Sequence, residues 1–330
     1  MRIGLSHFGC RRPDHVAGEL AELRREGVDF LVFAVTENDL LFHEETVRSI
    51  FDSAQQEGIE IWADPWGLAG IISGETPSWF LLYHPETWQV RADGERVPHA
   101  CPNAPAVRDL FRRWNGVVAR AGAQWVLWDE PHWAVPGGDY WPTTWPSGDS
   151  AWACRCEHCR AGFEQQCGYP MPANLTEDVR RFQEDSICSF LNELSADASS
   201  HGLQNAICWV PPEQLAGGLA LETAASLPSM ELLSVDPYWQ LADRTVEDFF
   251  VPNVEHAQTV ATQHGKPLQV WLQGFRTPKG REDELLDGLR ALKRLGIGNV
   301  AIWHHNGMSA LYPEDLSAYE RVLTQILKEA

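Results

Sequence analysis

Two adjacent carboxylates, Asp129 and Glu130, close the apolar run Trp125-Val126-Leu127-Trp128 and are followed by Pro131, His132 and Trp133. The run has the composition of a buried strand, and the proline stops it from continuing. A further acid, Asp236, ends Leu232-Leu233-Ser234-Val235, and Asp64 ends Ile59-Glu60-Ile61-Trp62-Ala63. Carboxylates in pairs perform general acid–base and nucleophilic work when their surroundings push their pKa values apart. Glu130, between Trp128 and Trp133, is the candidate acid, because desolvation would raise its pKa. Asp236 is the candidate nucleophile or base. Strand side chains alternate, so only one of Asp129 and Glu130 is expected to face the same way as Asp236. A variant assignment makes Asp129 the nucleophile and Asp236 the acid.

The elements that must position these acids are marked by a repeating punctuation. Gly27, Gly58, Gly122, Gly202, Gly265 and Gly296 each end a polar helical stretch, and a short apolar run follows within a few residues. Glycine tolerates the positive φ found just past a helix end. Helix, glycine, short loop and buried strand form the αβ half of a β/α unit. With Ile3-Gly4-Leu5 and Leu232 to Val235 the count reaches eight strands, and amphipathic helices are predicted over 16–25, 47–57, 107–121, 284–295 and 316–328. The expectation is an α/β fold, a single (β/α)8 TIM barrel over residues 1–330, with long loops after strands three (68–102) and four (134–153). The second of these loops carries Pro136, Gly137, Gly138, Pro142, Pro146 and Gly148. No Gly-rich phosphate loop follows the first strand, which counts against a doubly wound sheet.

Barrel chemistry sits at the C-terminal strand ends. There the sequence places Asp64 and Trp66, then Asp129, Glu130 and Trp133, then Trp209, Asp236 and Trp239, and finally Trp271, Gln273, Trp303, His304 and His305. Tryptophan faces stack on the C–H faces of sugar rings. Fifteen tryptophans in 330 residues, gathered toward one end of the strands, point to a carbohydrate groove. Hydrolysis of an O-glycosyl bond by a carboxylate pair is the leading expectation. Two alternatives are a sugar-binding barrel with altered catalysis, and a metal-dependent isomerase or lyase using Asp64, Glu130, Asp236, His304 and His305.

With 46 acidic against 26 basic residues the net charge is −20, which argues against nucleic acid and anionic membrane surfaces as partners. No apolar stretch reaches the roughly 20 residues of a membrane span. No export signal is legible at the start, so a cytoplasmic location is expected. Eight cysteines are too few for a disulfide scaffold of this length. Cys154, Cys156 and Cys159, spaced Cys-x-Cys-x-x-Cys, suit metal thiolates in a reducing compartment. The sequence does not decide whether the chain forms a homo-oligomer, and no organic cofactor is expected.

Two blocks resemble glycoside hydrolase family 42, the β-galactosidase-type barrels. They are Gly94-Glu95-Arg96 … Cys101-Pro102-Asn103-Ala104-Pro105-Ala106-Val107-Arg108 and Cys154-Arg155-Cys156-Glu157-His158-Cys159-Arg160-Ala161-Gly162-Phe163. The resemblance implies a structural zinc on Cys101, Cys154, Cys156 and Cys159, within a cysteine-rich insertion around 134–175, and it implies Glu130 as the acid. Four thiolates also suit tetrahedral zinc on chemical grounds, with Cys167 as a substitute ligand. The chain departs from the family in carrying Asp129 where an asparagine precedes the acid. Strand seven carries Gln273, with no glutamate at the nucleophile's place.

Overall fold

The structure is a computed structural model that describes residues 1–8, 11–74, 76–134, 152–212, 218–304 and 313–330, with His304 described by its backbone only. His305 and the Pro/Gly-rich positions 136–148 lie outside the described residues.

Eight parallel strands close a barrel: β1 (Arg2–His7), β2 (Phe30–Ala34), β3 (Glu60–Asp64), β6 (Trp125–Asp129), β7 (Gln204–Trp209), β8 (Leu232–Val235), β9 (Leu268–Gly274) and β10 (Asn299–His304), with β10 pairing back onto β1. All eight runs expected as strands are these strands, and the (β/α)8 architecture is confirmed. The six punctuating glycines all adopt positive φ, from 66° to 101°. At Gly122 the reason is explicit: it caps α5 (Pro105–Ala121) in the left-handed region, and its N–H reaches back to Val118 and Ala119.

The helices that pack on the strands are α1 (Pro13–Arg25), α3 (Glu44–Gln56), α5, α7 (Glu177–Ser200), α8 (Leu221–Ser226), α9 (Val251–Gln263), α10 (Glu284–Leu295) and α11 (Leu316–Glu329). Their apolar faces and the outward strand residues form one core layer. A second cluster fills the lumen: Phe30, Val32, Trp62, Trp125, Leu127, Ala206, Cys208, Leu232, Trp271, Ala301 and Trp303 among others. Its floor is aromatic, with Trp62 stacked between Phe30 (4.9 Å) and Trp125 (4.7 Å). Each ring so buried is worth about 1.5–3 kcal/mol of apolar transfer, so the lumen is a packed core rather than a channel.

The loop after β3 is more structured than its sequence suggests. It holds α4 (Trp79–Tyr83) and an antiparallel hairpin, β4 (Trp88–Val90) with β5 (Arg96–Ala100). Glu37, in α2 (Glu37–Phe42), fastens this loop to the barrel. Its buried carboxylate accepts from Ala69 N (3.2 Å), Ser78 Oγ (2.6 Å) and Phe80 N (2.7 Å). Beyond β6, α6 (Glu157–Cys167) lies beside α7.

Candidate active site

Strand alternation decides which side chains enter the lumen. On β6, Trp125, Leu127 and Asp129 face inward, while Trp128 faces outward and donates to Asn205 Oδ1 at 2.9 Å. Asp129 lies in register with Cys208 on β7, and Cys208 with Ser234 on β8. Asp236 continues the inward row two residues beyond Ser234. Asp129, Cys208 and Asp236 are all buried, and each offers a ligand atom within 4.8 Å of the others.

Glu130 breaks the alternation. It lies one residue past the strand with φ 43°, a conformation uncommon for a side chain with Cβ, and its carboxylate still makes a hydrogen bond with Asp236. Both adjacent acids therefore meet Asp236, which the alternation rule alone excludes. Ser73 supports this turn twice, donating through Oγ to Glu130 and through its backbone N–H to Asp129 O (3.2 Å). Glu130 also borders a pocket with Cys208, Trp209, Val210 and Leu219.

Electrostatics separate the acids. Burial pushes Asp236 well above the ordinary carboxylate range. The negative charge and hydrogen bond of Glu130 push it further, as does the charge of Asp129, while a hydrogen bond to Cys208 opposes them. Asp64 is likewise raised, by complete burial first and then by the charges of Asp129 and Glu130. Neither Asp64 oxygen nor Asp236 Oδ1 has a hydrogen-bond partner among the described residues. Carboxyls in such surroundings stay protonated where ordinary acids are ionised.

An aromatic wall stands at the same strand ends. Phe8, Trp66 and Trp303 meet with ring centroids 4.7–4.8 Å apart, Trp271 and Phe275 flank Trp303, and Tyr238 meets Phe275 edge-on. The Nε1 of Trp303 is buried without a partner among the described residues.

Of the residues that the sequence nominates, the structure brings Asp64, Trp66, Asp129, Asp236, Trp271, Gln273 and Trp303 to this end of the lumen. Gln273 is tied up locally, accepting from Leu241 N (3.4 Å) and donating to Phe275 O (3.1 Å). Trp239 is not at the mouth: it is fully buried behind the barrel, packs on Phe250 and donates to Glu284 (2.7 Å). Trp133 packs in the outer layer and donates to Gln183 O (3.1 Å). Trp209 also faces outward, yet it lines the pocket beside Glu130. Sequence reasoning missed Phe8, Ser73, Cys208, Tyr238 and Phe275. Period-two counting from Asp236 and Trp271 would have found Tyr238 and Phe275.

The four expected cysteines converge at the base of the hairpin and the start of α6. All are buried, Cys101 Sγ lies 3.4 Å from Cys159 Sγ and 3.5 Å from Cys156 Sγ, and all four sulfurs lie within 4.8 Å of one another. These separations are too long for disulfides and close to the ~3.8 Å edge of a tetrahedron with ~2.3 Å metal–sulfur bonds. N–H groups of Val90, Cys156, Cys159 and Asn103 point at the sulfurs from 3.3–3.5 Å, as thiolates require. Cys167 stands at the far end of α6, outside the quartet.

No protein-family model matches the sequence, and no curated protein sequence matches it. Solved structures share its fold. The catalytic domain of β-amylase from Paenibacillus polymyxa is similar with a TM-score of 0.66 at 11% identity, over 98% of each chain. The glycoside hydrolase domain of PgaB (BpsB) from Bordetella bronchiseptica has a TM-score of 0.61 at 13% identity, over 99% of this chain and 98% of that one. D-psicose 3-epimerase from Clostridium cellulolyticum H10 has 0.53 at 10% identity, over 100% and 98%. The class so defined is a closed (β/α)8 barrel with a cluster of buried acids at the C-terminal ends of its strands. No helix among the described residues is long and apolar enough to cross a membrane.

Proposed function

We propose that this chain is a glycoside hydrolase whose working pair is Asp129 and Asp236. The observation that carries the reading is their approach: two buried carboxylates with oxygens within 4.8 Å, one of them pushed to hold its proton. Asp236 gives that proton to the glycosidic oxygen as the bond to the anomeric carbon breaks. Asp129 attacks the same carbon from the opposite face and forms a glycosyl ester. Water then displaces Asp129, giving its proton back to Asp236. Double displacement uses carboxylates about 5 Å apart rather than the roughly 6.5–9.5 Å of inversion, and a pair within 4.8 Å leaves no room for a water between them, so retention is the outcome proposed. Glu130 is half-buried, lies one residue past the strand in a left-handed turn and is bonded to Ser73. Its place is beside the proton donor, held by Ser73. Phe8, Trp66 and Trp303 pack together as the apolar wall beside the acids.

The cysteine blocks support a divergent relative of glycoside hydrolase family 42, one domain over 1–330, in which the acids of the fourth and sixth barrel strands replace the family's pair. The quartet Cys101, Cys154, Cys156 and Cys159 fits structural zinc, which would clip the β4–β5 hairpin to α6. Hydrolysis of aryl glycosides, with the first-formed anomer read by NMR, tests the reading. Retention is expected, and binding of sugars with no hydrolysis across the panel would contradict it.

One observation favours a second reading. Asp129, Cys208 and Asp236 converge while Asp236 Oδ1 and both oxygens of Asp64 are unpartnered among the described residues, which suits a divalent cation and a metal-dependent sugar isomerase. The fold is shared with D-psicose 3-epimerase. A second metal per chain, beyond the thiolate-bound one, together with interconversion of ketoses, would establish this reading.

A further inference from the structure

Two short helices on the rim wear their polarity inside out. In α2 the acids turn inward: Glu37 and Asp39 are 4% and 1% exposed, and Asp39 pairs with Arg11. The outward face is Asn38, Leu41 and Phe42, with Leu41 46% and Phe42 69% exposed. In α4 the outward face is Trp79, Leu82 and Tyr83, at 38%, 62% and 69%. Both faces follow the i, i+3, i+4 spacing of one helix side. They lie side by side, since Trp79 Nε1 donates to Asn38 Oδ1 at 2.6 Å. Five large apolar side chains here leave on the order of several hundred Å² exposed, the scale at which a patch marks an interaction site.

We infer that the outward faces of α2 and α4 form a two-fold interface between two copies of this chain. Three observations favour a second copy as the occupant. The first is self-complementarity. Each helix offers a leucine beside an aromatic ring, so α2 of one copy can pack on α4 of the other, and the reverse contact follows by symmetry. The second is charge. Copies carrying −20 repel, yet none of these six residues is charged, and flanking acids are paired within the chain: Glu44 with Arg120, Glu45 with Arg48 and Glu86 with His84. The third is area: five side chains exposing several hundred Å² supply on the order of half or more of the roughly 800 Å² per partner of a stable interface. Two exposed leucines suit a protein surface better than a sugar chain, which would gain stacking only from the rings. The interface would brace the loop that Glu37 fastens and that carries Ser73 to Glu130.

Sedimentation velocity of the full chain tests this independently of any enzymatic activity. The expected result is a dimer, with Phe42→Asp and Leu82→Asp each raising its dissociation constant at least tenfold while the far-UV circular dichroism and melting temperature stay those of the wild type. A wild-type monomer up to about 100 µM would overturn the inference. So would a dimer that both variants leave intact, or a monomer whose patch instead binds phospholipid vesicles or soluble polysaccharide.

Discussion

At the residue scale, Asp236 is the proton donor of the proposed reaction. Burial and the adjacent Glu130 raise its pKa, so the acid form needed for bond cleavage persists above the pH range in which ordinary carboxylates ionise. Activity is therefore expected to fall on the alkaline side as pH rises through that raised value. Asp236→Asn should lower turnover of unactivated substrates by about 10²–10⁴-fold. A glycoside with a good leaving group should suffer less in the glycosylation step, and equal losses on both would contradict a proton-donor role. Asp64 yields a stability prediction. Its folded pKa lies above its unfolded value of about 3.9, so its contribution to stability is complete below that value and is lost as pH rises through the folded one. Asp64→Asn removes this loss, and its gain in melting temperature should grow as pH rises above about 4. A pH-independent difference would contradict the assignment. The acids were legible in the sequence because each ends an apolar run. Their roles were left between two assignments, Glu130 or Asp236 as the acid, because the choice depends on burial and on the left-handed turn at Glu130, which no local pattern announces.

At the element scale, the hairpin and α6 are joined through the four cysteines, so metal and loop stability should move together. One zinc per chain is expected by elemental analysis. Cys154→Ser should lose it and lower the melting temperature by several degrees, as should a strong chelator. Full zinc content in that variant would contradict the site. The barrel strands were readable because glycine after a helix and a short apolar run recur together. The hairpin was not: Trp88-Gln89-Val90 and Arg96 to Ala100 are short, mixed in polarity and stabilised by tertiary contacts such as Gln89 Nε2 to Ala100 O (2.9 Å). The trio Cys154, Cys156 and Cys159 was legible from its spacing, whereas Cys101 joined it only through the resemblance to family 42; the structure brings all four sulfurs together.

At the scale of the whole molecule, eleven of the fifteen tryptophans fall into three populations. Trp66, Trp271 and Trp303 belong to the mouth, and Trp62 and Trp125 form the floor. Trp114, Trp128, Trp133, Trp152, Trp209 and Trp239 pack in the outer layer. Their number in the sequence thus overstates the sugar-facing surface, while the position of a few at inward strand positions supports it. The strong negative charge disfavours polyanionic partners and leaves the uncharged α2–α4 face as the place where copies can meet. The central claim, that the fourth and sixth strands supply nucleophile and proton donor, is tested most directly by azide rescue of Asp129→Ala on a cleavable aryl glycoside. Restored turnover with a glycosyl azide of inverted anomeric configuration is the result expected. An inverted azide product from a Glu130 or Asp236 variant, with none from Asp129→Ala, would contradict it.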